Sequence, residues 1–258
     1  MYKGYNLRID VNHDCKSIDD LLNKFNIKYD AFKAKQPMDT DIENSIKKYV
    51  MNPVDDGRLD GDAINDDWFP SVESSIFLSH SHDDETLALK IKILLENKFK
   101  QKVFVDSFVW KYCNDLLKLL DDKYCLNGNV YDYRKRNNTT AAVHMLLSSA
   151  LTTMMDKSEC VIFLNTNKSN IKTVFDNEVQ TASPWIYHEL QMMNILRRKS
   201  IGERATRLYE ANESFGMERK IKVNLPLVKF ADFNRWLMQA VDKTTCSEVL
   251  DVLYTIIK

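Results

Sequence analysis

Short apolar runs that alternate with helical patterns constrain the fold of this chain more than any other feature. Three runs have the length and composition of buried strands, at residues 75–79 (SIFLS), 102–106 (KVFVD) and 159–165 (ECVIFLN). Apolar residues recur at helical spacing between them, over residues 87–95 and 143–154. Because strands that alternate with helices pair as a covered parallel sheet, the sequence predicts an α/β fold with a central parallel sheet flanked by helices.

The chain divides unequally by apolar content, which predicts one large domain and a small extension. The first part has one strand pattern and two short helical patterns, at residues 5–11, 18–25 and 41–50. Residues 52–67 are rich in Asp, Asn and Gly and predict a loop. We therefore expect residues 1–70 to form a small N-terminal extension and residues 71–258 to form the main domain. That domain is expected to end with one strand and two helices, at residues 224–230, 233–241 and 249–257.

A long polar stretch interrupts the main domain after its second strand. Residues 107–138 contain one short amphipathic piece, at residues 116–120, and otherwise read as a polar loop. Connections in compact domains are usually much shorter, so this stretch exceeds what a connection requires. We expect it to be an insertion with a functional role.

Composition and charge favour a cytoplasmic protein that binds neither nucleic acid nor membrane. Lys and Arg number 36 against 37 Asp and Glu, so no overall field attracts nucleic acid or an anionic membrane. Residues 1–10 lack the apolar core of a signal peptide, and no stretch approaches the roughly 18 apolar residues of a membrane span. The five cysteines form no CxxC pair, which is typical of reduced thiols in a reducing compartment.

Residues 183–190 (SPWIYHEL) predict a helix that starts near the carboxyl edge of the sheet. Ser183 is a favourable N-cap, and Pro184 suits the first helical position, where its missing N–H costs nothing. Trp185 and Glu189 then lie one turn apart on the same face of the helix. Open α/β sheets bind ligands at the carboxyl ends of their strands, so we expect Glu189 to face a cleft there.

Three short motifs follow one another in the same order as the matching strands and helix of one known protein family. They are residues 77–83 (FLSHSHD), residues 103–106 (VFVD) and residues 183–190. They resemble the first strand and loop, the second strand, and the S-x-W-C-x-x-E-L helix of Toll/interleukin receptor (TIR) domains. The resemblance covers about residues 74–258 and implies the flavodoxin-like TIR fold. Ile186 stands where many relatives have Cys, and the polar insertion is longer than the usual loop.

The resemblance implies one of two functions. One branch of the TIR family cleaves the bond between nicotinamide and ribose in NAD, giving nicotinamide and ADP-ribose, a cyclic isomer or a related signal. In that branch the helix glutamate is catalytic, and the matching residue here is Glu189. The resemblance also implies NAD as substrate with no cofactor, self-association through TIR surfaces, and antiphage defence such as Thoeris, in which a separate effector protein senses the product. The alternative is a non-catalytic module that assembles signalling complexes.

The other candidate site residues are expected to bind the substrate at the same cleft. They are Ser79, His80, Ser81, His82, Asp106, Trp110 and Trp185. Residues 79–82 end the first strand of the main domain and begin a helix, where a diphosphate or a ribose can dock. Trp185 is placed to stack on the base or the ribose. Asp106 ends the second strand of that domain, and Trp110 follows on a loop that would cover the cleft.

A zinc-dependent hydrolase is a more remote alternative. His80, His82 and Asp84 match the first part of the HxHxDH signature of metallo-β-lactamase-like hydrolases. Glu85, however, stands where the next histidine belongs, and only His144 and His188 remain downstream to complete the ligand set. The sequence therefore predicts no metal centre.

Overall fold

The computed structural model describes most of the chain, and its residues fall into two compact units. The described residues are 3–29, 59–110, 112–167, 171–175, 178–181, 183–196, 221–222 and 225–257. The first unit comprises Met1–Lys35, Val72–Val105 and Met154–Lys258, and the second comprises Gln36–Ser71 and Asp106–Thr153. Each unit is therefore built from segments that are distant in the sequence.

Strands and helices alternate along the described chain, as predicted. The strands are β1 (Lys3–Ile9), β2 (Ile76–Ser79), β3 (Val103–Phe104), β4 (Leu126–Asn127), β5 (Val130–Tyr131), β6 (Cys160–Thr166), β7 (Ile171–Phe175), β8 (Glu178–Thr181), β9 (Ile221–Lys222) and β10 (Leu227–Lys229). The helices are α1 (Val11–Lys24), α2 (Gly61–Trp68), α3 (Glu85–Phe99), α4 (Asp106–Val109), α5 (Cys113–Tyr124), α6 (Tyr133–Lys157), α7 (Pro184–Ile195), α8 (Phe230–Ala240) and α9 (Cys246–Ile256). A short 3-10 turn, His82–Asp84, precedes α3.

Five strands of the first unit form one parallel sheet in the order β10-β1-β6-β2-β3. The central strand β6 pairs with β1 over its whole length, from Cys160 opposite Lys3 to Thr166 opposite Ile9. It also pairs with all of β2 on its other side. Every residue of β2 and β6 is buried, as expected for strands covered on both faces. The predicted α/β fold with a parallel sheet flanked by helices is therefore confirmed.

Aromatic contacts pack the helices of the first unit. Phe25, at the end of α1, meets Phe99 of α3 edge-on, with ring centroids 5.8 Å apart. Trp236 of α8 is fully buried, and its indole N–H donates to the backbone oxygen of Val249 in α9 at 2.7 Å. Large buried aromatic side chains contribute strongly to core stability, so these contacts stabilise the helical layer.

Among the described residues, no helix is long and apolar enough to cross a membrane.

The position of β1 corrects the predicted domain boundary. β1 lies inside the sheet, between β10 and β6, and pairs with both. Tyr5, Leu7 and Ile9 alternate along β1 and are almost completely buried, and Tyr5 stacks with Tyr254 of α9. β1 and α1 therefore belong to the sheet domain and not to an extension over residues 1–70.

Two other predictions need correction or lie outside the described residues. The second half of the predicted loop at residues 52–67 is helical, because α2 begins there. Its N-cap is Asp60, whose carboxylate accepts a hydrogen bond from Ala63 N at 3.0 Å. The helical pattern at residues 41–50 lies outside the described residues.

The polar stretch at residues 107–138 has regular structure within the second unit. It contains α4, α5 and the antiparallel hairpin β4-β5, and it includes the start of α6. Asp121 of α5 is buried and accepts hydrogen bonds from Arg136, at 2.9 Å, and from Thr139, both in α6. The prediction of a polar loop is therefore wrong, because a charged network joins two helices there.

Candidate functional site

The candidate site lies at the carboxyl edge of the sheet, between β2 and β6. The strand that follows β2 in the chain is β3, on one side of it in the sheet. Along the chain, the next strand after β6 that joins this sheet is β10, and it lies on the opposite side of β6 from β2. Neighbouring strands whose connections diverge leave a crevice at their carboxyl ends, where open α/β sheets bind ligands. Ser79 and Thr166 end the two strands and mark this crevice.

A buried hydrogen bond joins Ser79 to Glu189 in the crevice. Ser79 Oγ donates to Oε2 of Glu189, although the two residues are 110 positions apart in the sequence. Ser79 is 1% exposed and Glu189 is 5% exposed. Burying a carboxylate is costly unless it is hydrogen-bonded or paired. The serine hydroxyl therefore offsets part of that cost and fixes the direction of the carboxylate.

Helix α7 begins where the sequence predicts and carries Glu189 to the crevice. Ser183 is the N-cap, and its hydroxyl accepts a hydrogen bond from Ile186 N at 3.4 Å. Pro184 occupies the first helical position. Trp185 is half-buried and lies one turn before the buried Glu189, so both side chains share one face of the helix.

A second buried carboxylate connects the loop after β2 with the end of β6. Asp84 is almost completely buried and accepts a hydrogen bond from the hydroxyl of Ser81 at 2.7 Å. The hydroxyl of Thr166 donates to both carboxylate oxygens of Asp84, at 2.8 and 2.9 Å. These bonds fix the loop that leads from Ser79 into α3, so they hold one wall of the crevice in place.

We expect Thr166→Val to loosen this loop. The substitution keeps the shape of the side chain but removes the donor, and a buried carboxylate that loses a partner costs about 1–3 kcal/mol of stability. Thermal unfolding should show the loss. Thr255→Val is the matched control, because the Thr255 hydroxyl donates to the backbone oxygen of Asp251 on the exposed face of α9, and its effect should stay within about 0.5 kcal/mol. An equal loss of stability in the two variants would show that the hydrogen bonds from Thr166 to Asp84 stabilise the protein no more than an exposed side-chain hydrogen bond does.

The two histidines of the loop after β2 differ in their exposure to solvent. His80 is half-buried, whereas His82 is exposed at the start of the 3-10 turn. Asp84, the third residue of the metal pattern, directs its carboxylate to Ser81 and Thr166. Within the described ranges, no group of three or more His, Cys, Asp or Glu side chains is arranged to hold a metal ion.

Asp106 and Trp110, the remaining predicted site residues, belong to the second unit. Asp106 is the first residue of α4 and is half-buried. Trp110 is buried, its indole N–H donates to the backbone oxygen of Pro70 at 3.0 Å, and its ring meets Phe69 edge-on at 5.5 Å. The indole of Trp110 therefore packs against residues of its own unit.

Sequence reasoning missed two polar residues at the end of β6. Asn165 and Thr166 follow the apolar residues of that strand and are both buried. The sequence could have revealed them, because polar residues that end an apolar parallel strand are candidates to contact a ligand or to orient other site residues. Asp84 was considered as part of a metal pattern, and its hydroxyl partners, Ser81 and Thr166, were not foreseen.

Fold and site together define the class of this protein: an α/β protein whose five-stranded parallel sheet carries a buried serine–glutamate pair at its carboxyl edge. In comparisons with known proteins, no family model matches the chain, and no curated protein or solved structure matches it.

Proposed function

We propose that this protein is an NAD-cleaving enzyme of the TIR type in which Glu189 acts at the bond between nicotinamide and ribose. The observation that carries the proposal is the buried hydrogen bond between Ser79 and Glu189 at the carboxyl edge of the sheet. The two residues come from two of the three TIR-like motifs, at residues 77–83 and 183–190. A contact between these distant motifs is expected if they form one site.

The proposed reaction needs a well-placed carboxylate more than it needs a proton donor. The pyridinium ring of NAD is positively charged, so nicotinamide takes the bonding electron pair and leaves as a neutral base. The ribose carbon then carries positive charge in an oxocarbenium-like transition state. A fixed carboxylate beside the ribose stabilises this charge, and the effect is larger in a buried crevice than in water.

Glu189 suits this role because its carboxylate is buried and oriented. Ser79 holds one carboxylate oxygen from β2, while α7 holds the backbone of the glutamate. Preorganisation of this kind avoids reorientation of the charged group during the reaction. The bonds of Asp84 to Ser81 and Thr166 support Ser79 indirectly, because they fix the loop that follows it.

Product analysis tests the proposal directly. Purified protein is incubated with NAD, with and without a phage-derived activator, and the products are separated by mass. We expect free nicotinamide together with ADP-ribose if water attacks the ribose carbon, or a cyclic isomer if a group of the same nucleotide attacks it. A protein that self-associates but releases no nicotinamide under any condition would instead be the non-catalytic assembly module.

The biological setting is part of the same proposal. By its resemblance to prokaryotic TIR proteins, we propose that the protein acts in antiphage defence, with self-association controlling its activity and a separate effector protein sensing the product. Deletion of the gene in its host, followed by phage challenge, tests this setting. Unchanged phage sensitivity across a broad phage panel would contradict it.

We expect Trp185→Ala to weaken substrate binding more than it weakens the fold. Trp185 is half-buried one turn before Glu189, where its ring can stack on the base or ribose. Loss of one stacking contact should raise KM for NAD by about tenfold. Trp185→Phe keeps an aromatic face and should recover most of that loss. A large fall in melting temperature with an unchanged KM would make Trp185 a structural residue, since truncating a core tryptophan costs about 3–5 kcal/mol.

A further inference from the structure

A cavity adjoins the candidate site along the same edge of the sheet. It has a volume of about 660 Å³ and lies at the carboxyl ends of β6, β1 and β10. Its lining includes Arg8, Asn165, Thr166, Asn167 and Lys229. Asn165 and Thr166 also end the strand that borders the Ser79–Glu189 crevice, so the cavity lies beside the crevice on the same edge of the sheet.

Strand register places the polar residues of the cavity in one row. Asn165 of β6 is opposite Arg8 of β1, and Arg8 is opposite Lys229 of β10. Ser79 is opposite Phe163, which precedes Asn165 by one full strand period, so Ser79 points to the same face of the sheet as the row. Neighbouring strands lie about 4.8 Å apart, so Arg8 is about 10 Å across the sheet from the strand of Ser79.

The two cations of the row are available for a ligand. Arg8 and Lys229 are exposed, and neither forms an ion pair among the described residues. Two cations on adjacent strands of one cavity are suited to bind a multiply charged anion such as a diphosphate.

The acidic residues of the cavity are engaged in capping α1. Asp10 accepts hydrogen bonds from Asn12 N and from the side-chain amide of Asn167, both at 3.0 Å. Its bond to His13, followed by the bond from Asn12 N, lowers the pKa of Asp10, so it stays a carboxylate at neutral pH. Asp14 accepts a hydrogen bond from Asp10 N at 2.8 Å. These carboxylates serve the start of α1. Lys229 is the N-cap of α8, and its backbone N–H donates to the Asp232 carboxylate at 3.3 Å, while the described residues show no ion pair of the Lys229 ammonium group or the Arg8 guanidinium group.

We infer that this cavity binds the diphosphate of a dinucleotide, with Arg8 and Lys229 as its charge partners. The inference rests on the proposed function for the position of the ribose beside Glu189. In NAD the diphosphate is joined to that ribose through one methylene group, so it lies several ångströms from the glycosidic bond. Arg8 lies about 10 Å across the sheet from the strand that ends in Ser79, which is a distance of this order. The rest of the cavity, towards β10, receives the second nucleoside.

Binding measurements with substitutions of the two cations test the inference. We expect Arg8→Gln and Lys229→Gln each to raise the Kd of ADP-ribose by about tenfold, as measured by calorimetry, because each removes one charge-assisted contact. Lys243→Gln is the matched control, since Lys243 is an exposed lysine beyond the opposite end of α8 and should leave the Kd unchanged. Arg8→Lys keeps the charge and should lose less affinity than Arg8→Gln. Unchanged affinity in the Arg8→Gln/Lys229→Gln double variant would overturn the inference.

Two substrates separate this inference from the proposed function. Nicotinamide riboside has the same glycosidic bond as NAD but no diphosphate. We expect the cation variants to raise KM for NAD and to leave kcat/KM for nicotinamide riboside unchanged. If the variants impair both substrates equally, Arg8 and Lys229 do not act through a diphosphate and the inference fails, although cleavage still supports the proposed function. If the unmodified protein cleaves neither substrate but ADP-ribose binding depends on both cations, the proposed function fails and the nucleotide-diphosphate site remains.

Discussion

Glu189→Gln is expected to leave the protein folded and to reduce NAD cleavage by on the order of a hundredfold or more. That loss is typical when an enzyme loses a preorganised group that stabilises transition-state charge. The amide of glutamine has nearly the shape of the carboxylate, and its oxygen still accepts the hydrogen bond from Ser79. The substitution therefore removes the negative charge while it preserves the local packing. Nicotinamide release over time, measured under saturating NAD, gives the effect on kcat.

A matched control makes this result specific to the crevice. Glu73→Gln removes the same charge from the same unit, but the Glu73 side chain is 70% exposed, in a surface ion pair with Lys102. Surface pairs of this kind contribute at most about 1 kcal/mol, so this variant should keep full activity and stability. Retained turnover in Glu189→Gln would remove Glu189 from the mechanism. A fall in activity that only parallels a fall in melting temperature would indicate a structural role for the buried pair.

Local patterns were sufficient to predict most strands and helices of the sheet domain. The apolar run at residues 159–165 became the fully buried β6, and the cap at Ser183 with Pro184 fixed the start of α7. These features depend on residues that are neighbours in the sequence, so one sequence reveals them. The candidate site could be anticipated in part for the same reason, because the structure brings Ser79 and Glu189 into contact at the predicted edge of the sheet.

The position of β1 could not be read from local pattern. Only Tyr5, Leu7 and Ile9 of β1 face the core, while Asn6 and Arg8 point to the other side of the sheet. Such alternation is typical of a half-exposed strand, and the low apolar content of the first part of the chain suggested a small extension. Its true neighbours, β6 and β10, are distant in the sequence. The exposed Arg8 does not make β1 peripheral. It lines the cavity beside the candidate site.

The first part of α6 escaped prediction because it carries little apolar periodicity. The first residues of α6 are exposed, and what ties this part of α6 to α5 is the polar contact of Arg136 and Thr139 with Asp121. A helix held by a charged network lacks the apolar stripe on which sequence reasoning depends. The same limit applied at the site, where the bond between Asp84 and Thr166 joins residues that no local pattern connects.

Leu7→Ala is expected to destabilise the whole sheet domain by about 2–5 kcal/mol, the usual cost of truncating a fully buried leucine. Leu7 is 1% exposed on β1, between Leu164 of β6 and Val228 of β10 in the register. Because β1 bridges these two strands, a cavity at Leu7 weakens the sheet on both sides. The melting temperature should fall by roughly 4–20 °C, given about 2–4 °C per kcal/mol for domains of this size.

The control for Leu7→Ala is Ile195→Ala, which also truncates a branched aliphatic side chain but at a position that is 67% exposed at the end of α7. That substitution should change stability by no more than about 0.5 kcal/mol. If residues 1–70 were instead an independent extension, Leu7→Ala would leave the main unfolding transition in place. A melting curve of Leu7→Ala that overlays the curve of Ile195→Ala would therefore contradict the assignment of β1 to the interior of the sheet, and with it the placement of Arg8 beside the candidate site.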